Sequence, residues 1–386
     1  MTHSTPRRRV VLLGATGSIG RQACDVIAQF PDRFELVGAV AGTDGAALAA
    51  IATRFGVTRT ALVHGDPNGV LPAGCAIGMD AACEIAAMDA DVVCVAITGA
   101  AALRPTLAAI DAGATVATAT KEVLVMAGEL VKARATAAGA RVIPIDSEHS
   151  ALWQCLRGED PDSVLRLVLT ASGGPFLRRP LDTFASITPA EALAHPTWNM
   201  GPKVTIDSAT MMNKGLEIIE AHFLFDTPYA SIDVAIQPTS IVHSWVEFRD
   251  GAVVAQLGVP DMRVPIALAL ADGERLPGVG PHLDLRDASP LEFLTVDGER
   301  FPAIALAKST GERGGLAPCV FNAANEEAVT AFTTGQCRFD EIVPLVSAAL
   351  AAFGDGDAST LDGVLAADTW ARDFVRTNTG QAVAAR

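Results

Sequence analysis

The stretch VVLLGATGSIG, Val10–Gly20, decides how the rest of this chain is read. Val10–Leu13 is an unbroken apolar run and predicts a short strand buried on both faces. Gly14, Gly17 and Gly20 follow at intervals of three and permit a tight turn with close backbone approach. Ile19–Phe30 has the spacing of a helix and is closed by Pro31-Asp32. A strand, a glycine turn and a helix start present free N–H groups and a positive dipole end, which suits a pyrophosphate. The spacing is GxxGxxG, not GxGxxG, so a purely structural strand-to-helix turn is the competing reading.

Working outward, Phe34–Ala41, Asp91–Ile97, Thr115–Ala119 and Ala140–Ile145 repeat the scheme, each strand leading into a loop or helical pattern. Such alternation predicts βαβ units and a parallel sheet. The fold class expected is therefore α/β, with a Rossmann-like dinucleotide-binding domain over residues 1–145. The second strand runs into Gly42-Thr43-Asp44, where the adenine ribose belongs in such a domain. Asp44 suits a free 2′-hydroxyl, as in NAD; equally, it caps the next helix.

The middle of the chain changes character. Val164–Thr170 reads as a strand ending at Ser172-Gly173-Gly174-Pro175, and VTIDSAT as a strand or turn entering a helix. Ile241–Arg249 and Ala252–Leu257 flank Asp250-Gly251, the signature of a hairpin. An α+β catalytic domain is expected over 146–275, with strands available for dimerisation. A linker is expected over 276–300, opening in a Gly/Pro-rich stretch that runs from Asp272 to about His282. Ala303–Ser309, Ala323–Thr333, Asp340–Phe353 and Leu361–Val375 predict a small C-terminal helical bundle over 301–386.

Composition narrows the function classes. The 386 residues carry a net charge of −15, against the basic surface that nucleic-acid binding needs. An anionic substrate therefore needs a local set of donors. The seven cysteines show no metal-type spacing and read as reduced thiols of a cytoplasmic protein. The apolar run after the basic start is too short for a signal h-region, and no stretch is long enough to span a membrane.

RVIPIDSEHSAL carries the sharper chemistry. Asp146 and Glu148 fall at the end of a strand, where i and i+2 share a face, and two convergent carboxylates attract Mg²⁺ or Mn²⁺. Ser147 between them is free for substrate, and an exposed helix cap is the bland alternative. In DSATMMNKGLE, Lys214 and Glu217 stand at i and i+3 of a helix. Ser208, Asn213 and Lys214 together can hold a phosphate, with Ser172 adding a donor. His195 opens HPTWNMG, a loop whose Trp198 and Met200 suit a water-excluding lid.

GATGSIG, KE, DSEH, SGGPF, HPTWNMG, DSATMMNKGLE, QLGVPDMR and NAANE occur here in one order between Arg9 and Glu326. That order resembles the 1-deoxy-D-xylulose 5-phosphate reductoisomerase family. The resemblance implies NADPH-dependent rearrangement and reduction of the ketose phosphate to 2-C-methyl-D-erythritol 4-phosphate, in non-mevalonate isoprenoid synthesis. It implies a homodimer with a C-terminal helical domain. Thr16, Gly17, Ser18, Ile19, Gly42, Thr43 and Asp44 would bind the dinucleotide, with Thr120, Glu122 and Gly201. Asp146, Glu148 and Glu217 would hold Mg²⁺, Mn²⁺ or Co²⁺. Ser172, Ser208, Asn213 and Lys214 would hold the phosphate end, and Lys121, Ser147 and His195 would line the substrate. Lys121, Asp146, Glu148, His195 and Glu217 would carry the catalysis, by retro-aldol cleavage, re-aldolisation and hydride transfer.

Two sites depart from the family's habit. Around Lys121-Glu122, Thr120 replaces a common Asn and Val123 a small polar residue, and Thr43-Asp44 replaces a basic or amide residue near the 2′-phosphate. A semialdehyde dehydrogenase would instead need an activated cysteine. A dinucleotide-sensing protein would have no use for the carboxylates and the phosphate grip together.

Overall fold

The computed structural model describes residues 6–384, apart from Asn199 and Ser289. The start of the chain before Pro6 and Asn199 of the HPTWNMG loop thus lie outside the described residues. No described helix is long and apolar enough to cross a membrane. The chain forms two compact units, 1–123 with 131–150 and 261–281, and 124–130 with 151–260 and 282–386.

The first unit is built on a seven-stranded parallel sheet. Its strands are β1 (Arg8–Leu13), β2 (Phe34–Ala41), β3 (Thr60–Leu62), β4 (Ala76–Ile77), β5 (Val92–Val95), β6 (Thr115–Thr118) and β7 (Val142–Pro144). Their order across the sheet is β4-β3-β2-β1-β5-β6-β7. The order reverses direction between β1 and β5, the crevice where such sheets bind ligands. Val10–Leu13 and Val92–Val95 are wholly buried, as central strands covered by helices on both faces must be.

Three glycines fix the β1 turn, each for its own reason. Gly14 has φ +86°, and a Cβ there would lie 2.3 Å from the Ala96 carbonyl oxygen. Gly17 is the N-cap residue of the helix Ser18–Gln29. Gly20 lets that helix settle onto the turn, since its Cβ would lie 2.2 Å from the Gly14 carbonyl oxygen.

The second unit holds a five-stranded mixed sheet, ordered β11-β10-β8-β9-β12. These strands are β8 (Val164–Ala171), β9 (Ile232–Ile236), β10 (Val242–Phe248), β11 (Val253–Leu257) and β12 (Leu294–Thr295). Strands β10 and β11 form the expected antiparallel hairpin, with Gly251 at φ +94°. The helix Met212–Phe225 packs on β8 and β9 and against the helix Ala303–Arg313. Gly215 permits that approach: its Cβ would stand 3.0 Å from Ala307 Cβ.

Three expectations need correction. Residues 261–275 were assigned to the catalytic domain, but the helix Arg263–Leu270 packs on the helix Ser18–Gln29 and on β6 and β7 of the first unit. The stretch that follows is tied down there too, because Gln29 Nε2 donates to the Gly278 carbonyl at 2.8 Å. The linker expected over 276–300 contains β12, which pairs with β9. The region beyond Pro302 is helical as expected, with helices Ala303–Arg313, Ala317–Thr333, Ile342–Ala352 and Leu361–Ala384. Those helices share one contact unit with the central sheet, because the Gly215 approach merges their cores.

The last correction concerns VTIDSAT, expected as a strand or turn entering a helix, which itself lies in a helix, Pro202–Thr210. Its β-branched residues suggest a strand, but Gly201 at the N-cap and Pro202 at the first turn start a helix. Met211, at φ 61°, breaks it from the helix Met212–Phe225.

Gly20→Ala is expected to lower stability by about 2 kcal/mol or more, since backbone and not a flexible side chain must give way. Thermal melting with and without NADPH checks this, and a melt unchanged from wild type would contradict the packing role given to Gly20.

Candidate active site

In the first unit, the carboxyl ends of β1, β5, β6 and β7 deliver the candidate residues to one edge of the sheet. Gly17, the N-cap of the helix Ser18–Gln29, has no side chain to cap it, so the first-turn amides of Ser18 and Ile19 receive no hydrogen bond from the cap residue. Thr16 offers its carbonyl to Arg21 Nη1 at 2.7 Å. At the end of β2, Asp44 accepts from the Ala47 amide at 2.9 Å, so the capping reading of Asp44 is realised. Asp66 Oδ2 accepts from the Gly45 amide at 2.8 Å, placing a second carboxylate at the same helix start. Gly42 and Thr43 lie beside this pair, and a Cβ on Gly42 would meet nothing within 4 Å.

Thr120 is buried, and its hydroxyl donates to the Ile97 carbonyl at 2.6 Å. The donor that Thr120 retains is thus spent on the end of β5. Glu122 is buried in the first turn of the helix Lys121–Ala138, where a negative charge meets the positive helix end. Lys121 at the same turn has the wrong sign for that dipole, and Asp146 offsets it: Lys121 Nζ lies 2.6 Å from Asp146 Oδ2. The β6–β7 register creates this pair, because Thr118 stands opposite Pro144 and both chains then turn the same way.

The acidic pair does not share a strand face. Strand β7 ends at Pro144, and Ser147–Cys155 is a helix, with the Asp146 carbonyl accepting from Ser150 N at 2.7 Å. Glu148 therefore lies in the first helical turn, where Ser147 Oγ donates to it. The helical geometry brings in His149, which sequence reading passes over. Its ring is fully buried, and Nδ1 is 3.8 Å from Asp146 Oδ2.

The second unit gathers the phosphate candidates. His195 Nε2 lies 3.1 Å from both Ser172 Oγ and Ser208 Oγ. Its Nδ1 accepts from the amides of Trp198, at 3.0 Å, and Thr197, at 3.2 Å. Two backbone donors at Nδ1 fix the neutral tautomer, so Nε2 carries the proton and donates toward the serines. Burial also holds the imidazole below its ordinary titration range. Ser172 Oγ accepts in addition from Gly174 N at 3.1 Å. Gly174, at φ +64°, brings this loop against the helix Pro202–Thr210, where its Cβ would stand 2.8 Å from the Ser208 carbonyl.

Beyond Met211, Asn213 Nδ2 donates to Glu217 Oε1, and Lys214 Nζ pairs with Glu217 Oε2. Lys214 and Glu217 are both buried. The i, i+3 spacing seen in the sequence is thus a real contact. Gly201 is the N-cap of the preceding helix, and the Trp198 ring lies 6.2 Å from His243. Asp207 and Asn325 went unassigned in the sequence although both lie inside quoted motifs. Asn325 Nδ2 donates to the buried Asp207 Oδ1 at 2.8 Å.

The chain is similar to known proteins over nearly its whole length. The family pattern described as 1-deoxy-D-xylulose 5-phosphate reductoisomerase matches residues 10–128. Patterns for the C-terminal domains of the same enzyme match 142–225 and 257–374. The chain belongs to the 1-deoxy-D-xylulose 5-phosphate reductoisomerase family. A family member from Leifsonia xyli subsp. xyli is 51% identical over 95% of this chain and 97% of its own length. One from Thermomicrobium roseum is 47% identical over 98% of this chain and 99% of its own. The solved Zymomonas mobilis enzyme, in complex with NADPH, superposes with a TM-score of 0.90 at 40% identity, covering 97% of this chain and 99% of that one. A crystal structure of a DOX-P reductoisomerase with NADPH, fosmidomycin and magnesium gives a TM-score of 0.90 at 37% identity, over 97% of this chain and 98% of that one.

The His195 environment carries a pH signature. An unfolded imidazole titrates near 6.5 and the folded one lower. Between those values the unfolded state binds more protons, so stability is lost as pH falls below about 6.5. Melting temperature followed from pH 7.5 to 5 is expected to fall more steeply for wild type than for His195→Gln; parallel curves would contradict it.

Proposed function

We propose that the chain catalyses the NADPH-dependent rearrangement and reduction of 1-deoxy-D-xylulose 5-phosphate to 2-C-methyl-D-erythritol 4-phosphate, in non-mevalonate isoprenoid precursor synthesis. The observation that carries this reading is the set of polar groups around the Met211 break, with Ser208 before it, and Asn213 and Lys214 after it donating to Glu217. It stands inside a family match that spans almost the whole chain.

The division of labour follows from the residues. Thr16, Gly17, Ser18 and Ile19 receive the pyrophosphate at the glycine turn and helix start, the amides of Ser18 and Ile19 lying in the first turn, with Gly42, Thr43 and Asp44 at the adenosine end. Thr120, Glu122 and Gly201 line the nicotinamide side. Residues 1–145 thus serve as the dinucleotide module, joined by the helix Arg263–Leu270. Ser172, Ser208, Asn213, Lys214 and the Nε2 proton of neutral His195 grip the phosphate of the ketose.

Asp146, Glu148 and Glu217 are the residues that would hold the divalent cation. Their donors are all carboxylate oxygens, which fits a hard cation such as Mg²⁺ or Mn²⁺. When bound, the ion supplies Lewis acidity and a template for the ketone oxygen and its neighbouring hydroxyl. The dinucleotide supplies the hydride. Lys121, steadied by Asp146, places an ammonium beside the reacting oxygens, and Ser147 supplies a hydroxyl. Trp198 and Met200 exclude water from them.

The chain acts as a cytoplasmic homodimer, with neither nucleic acid nor membrane as partner. The seven cysteines are all free thiols, which supports a reducing compartment. The edge strand β11 exposes Val253 and Val254, an apolar edge that a second copy would cover.

Dinucleotide oxidation with 1-deoxyxylulose 5-phosphate tests the reaction. Turnover is expected with Mg²⁺ or Mn²⁺ and none with chelator. Glu217→Gln should cost about 10²-fold or more in kcat while NADPH affinity stays within about twofold. Turnover near the wild-type rate in that variant, or turnover in chelator, would sink the metal assignment.

Asp44→Asn keeps a good cap but removes a charge near the 2′-phosphate position. The ratio of kcat/KM for NADPH over NADH should rise about threefold to tenfold. An unchanged ratio would show that Asp44 does not face the 2′ position.

A further inference from the structure

We propose that Asp207 and Asn325 form a positioning pair that sets the phosphate grip, an inference that rests on the function proposed above. Asp207 is completely buried on the helix Pro202–Thr210. Its Oδ1 accepts from Asn325 Nδ2 at 2.8 Å, and its Oδ2 lies 2.9 Å from Lys203 Nζ, one turn back on the same helix. Asn325 is itself fully buried on the helix Ala317–Thr333. A buried carboxylate is costly unless paired and hydrogen-bonded. The helix Pro202–Thr210 therefore has one favourable rotation about its axis, the one that aims Asp207 at Asn325.

That rotation is what the site uses. Ser208 is the next residue, turned by about 100° along a helix of 3.6 residues per turn. When Asp207 faces Asn325, Ser208 Oγ faces His195 Nε2 at 3.1 Å. A helix rotation of about 15° would carry a side-chain oxygen by roughly 1 Å. An error of that size costs up to about 10²-fold in a reaction that depends on orientation.

The same setting passes across the Met211 break. Thr210 Oγ1 donates to the Asp207 carbonyl at 3.2 Å and accepts from the Met212 amide at 3.3 Å. The start of the helix that bears Asn213 and Lys214 is thus linked, through the Thr210 hydroxyl, to the backbone of the residue that Asn325 anchors. Neither Asp207 nor Asn325 needs to touch substrate for this role.

The test compares wild type with Asn325→Leu, similar in size but without the donor, and with the exchanged pair Asp207→Asn/Asn325→Asp, which restores a hydrogen bond in the opposite sense. KM for 1-deoxyxylulose 5-phosphate and the inhibition constant of inorganic phosphate are read beside KM for NADPH and melting temperature. For Asn325→Leu the first two should rise about tenfold together, with KM for NADPH within about twofold. The exchanged pair should recover at least half of that loss on a logarithmic scale. A lower melting temperature with both phosphate-dependent constants within twofold of wild type would make the pair merely structural and overturn the proposal. If Asn325→Leu does not fold, Asp207→Asn carries the same measurement: a rise of about threefold supports the pair, and no rise overturns it. Should wild type fail to turn over the ketose phosphate, the functional reading falls. The anchor is then judged by calorimetric affinity for inorganic phosphate in the same variants, with weaker binding supporting it and equal binding overturning it.

Discussion

The first unit depends on one steric constraint, the approach of the helix Ser18–Gln29 to the turn that precedes it. Without side chains at Gly14 and Gly20, the turn reaches the Ala96 carbonyl and the helix rests on the turn. That approach aims the helix start along the carboxyl edge of the parallel sheet. The same edge receives Thr120 and Lys121 from β6 and Asp146 from beyond β7. Cofactor residues and the first carboxylates are therefore delivered by sheet register and not by separate loops. The Lys121–Asp146 pair also offsets a lysine at a helix N-terminus, where it would otherwise be disfavoured.

Under the proposed function, the second unit answers a different need, a dense set of donors for a dianion in a chain with a net charge of −15. It meets that need locally. A glycine turn after β8, a loop pinned at His195 Nδ1 and a helix broken at Met211 bring Ser172, His195 and Ser208 together. Keeping His195 neutral gives a directed N–H donor without a buried cation. The charge is left to Lys214, which Glu217 balances within one helical turn.

Much of this was legible in the residues. The strand–glycine–helix order of Val10–Gln29, repeated along the first third of the chain, predicts the parallel sheet, because strands that alternate with helices pair in parallel. The i, i+3 relation of Lys214 and Glu217 was read correctly, since helix periodicity alone places them together. Ser172, His195 and Ser208 do come together, although no spacing in the sequence relates them. VTIDSAT misled, because its β-branched residues weigh toward a strand while the local signals at Gly201 and Pro202 decide for a helix. DSEH misled for a related reason: Asp146 and Glu148 look like strand neighbours until the chain turns into a helix after Ile145.

By itself, then, the sequence determined the fold class, the family and the types of residue in the site, since these rest on local periodicity and on chemistry spelled out in contiguous motifs. Tertiary structure decided what depends on contacts between residues far apart in the chain. It joined residues 261–281 to the dinucleotide-binding unit through packing on the helix Ser18–Gln29. It spent the Thr120 hydroxyl on Ile97 and turned Asp44 to its own helix. It also set Asn325 against Asp207, 118 positions apart. No local pattern encodes such partners, because a hydrogen bond between buried groups is specified by where two helices cross.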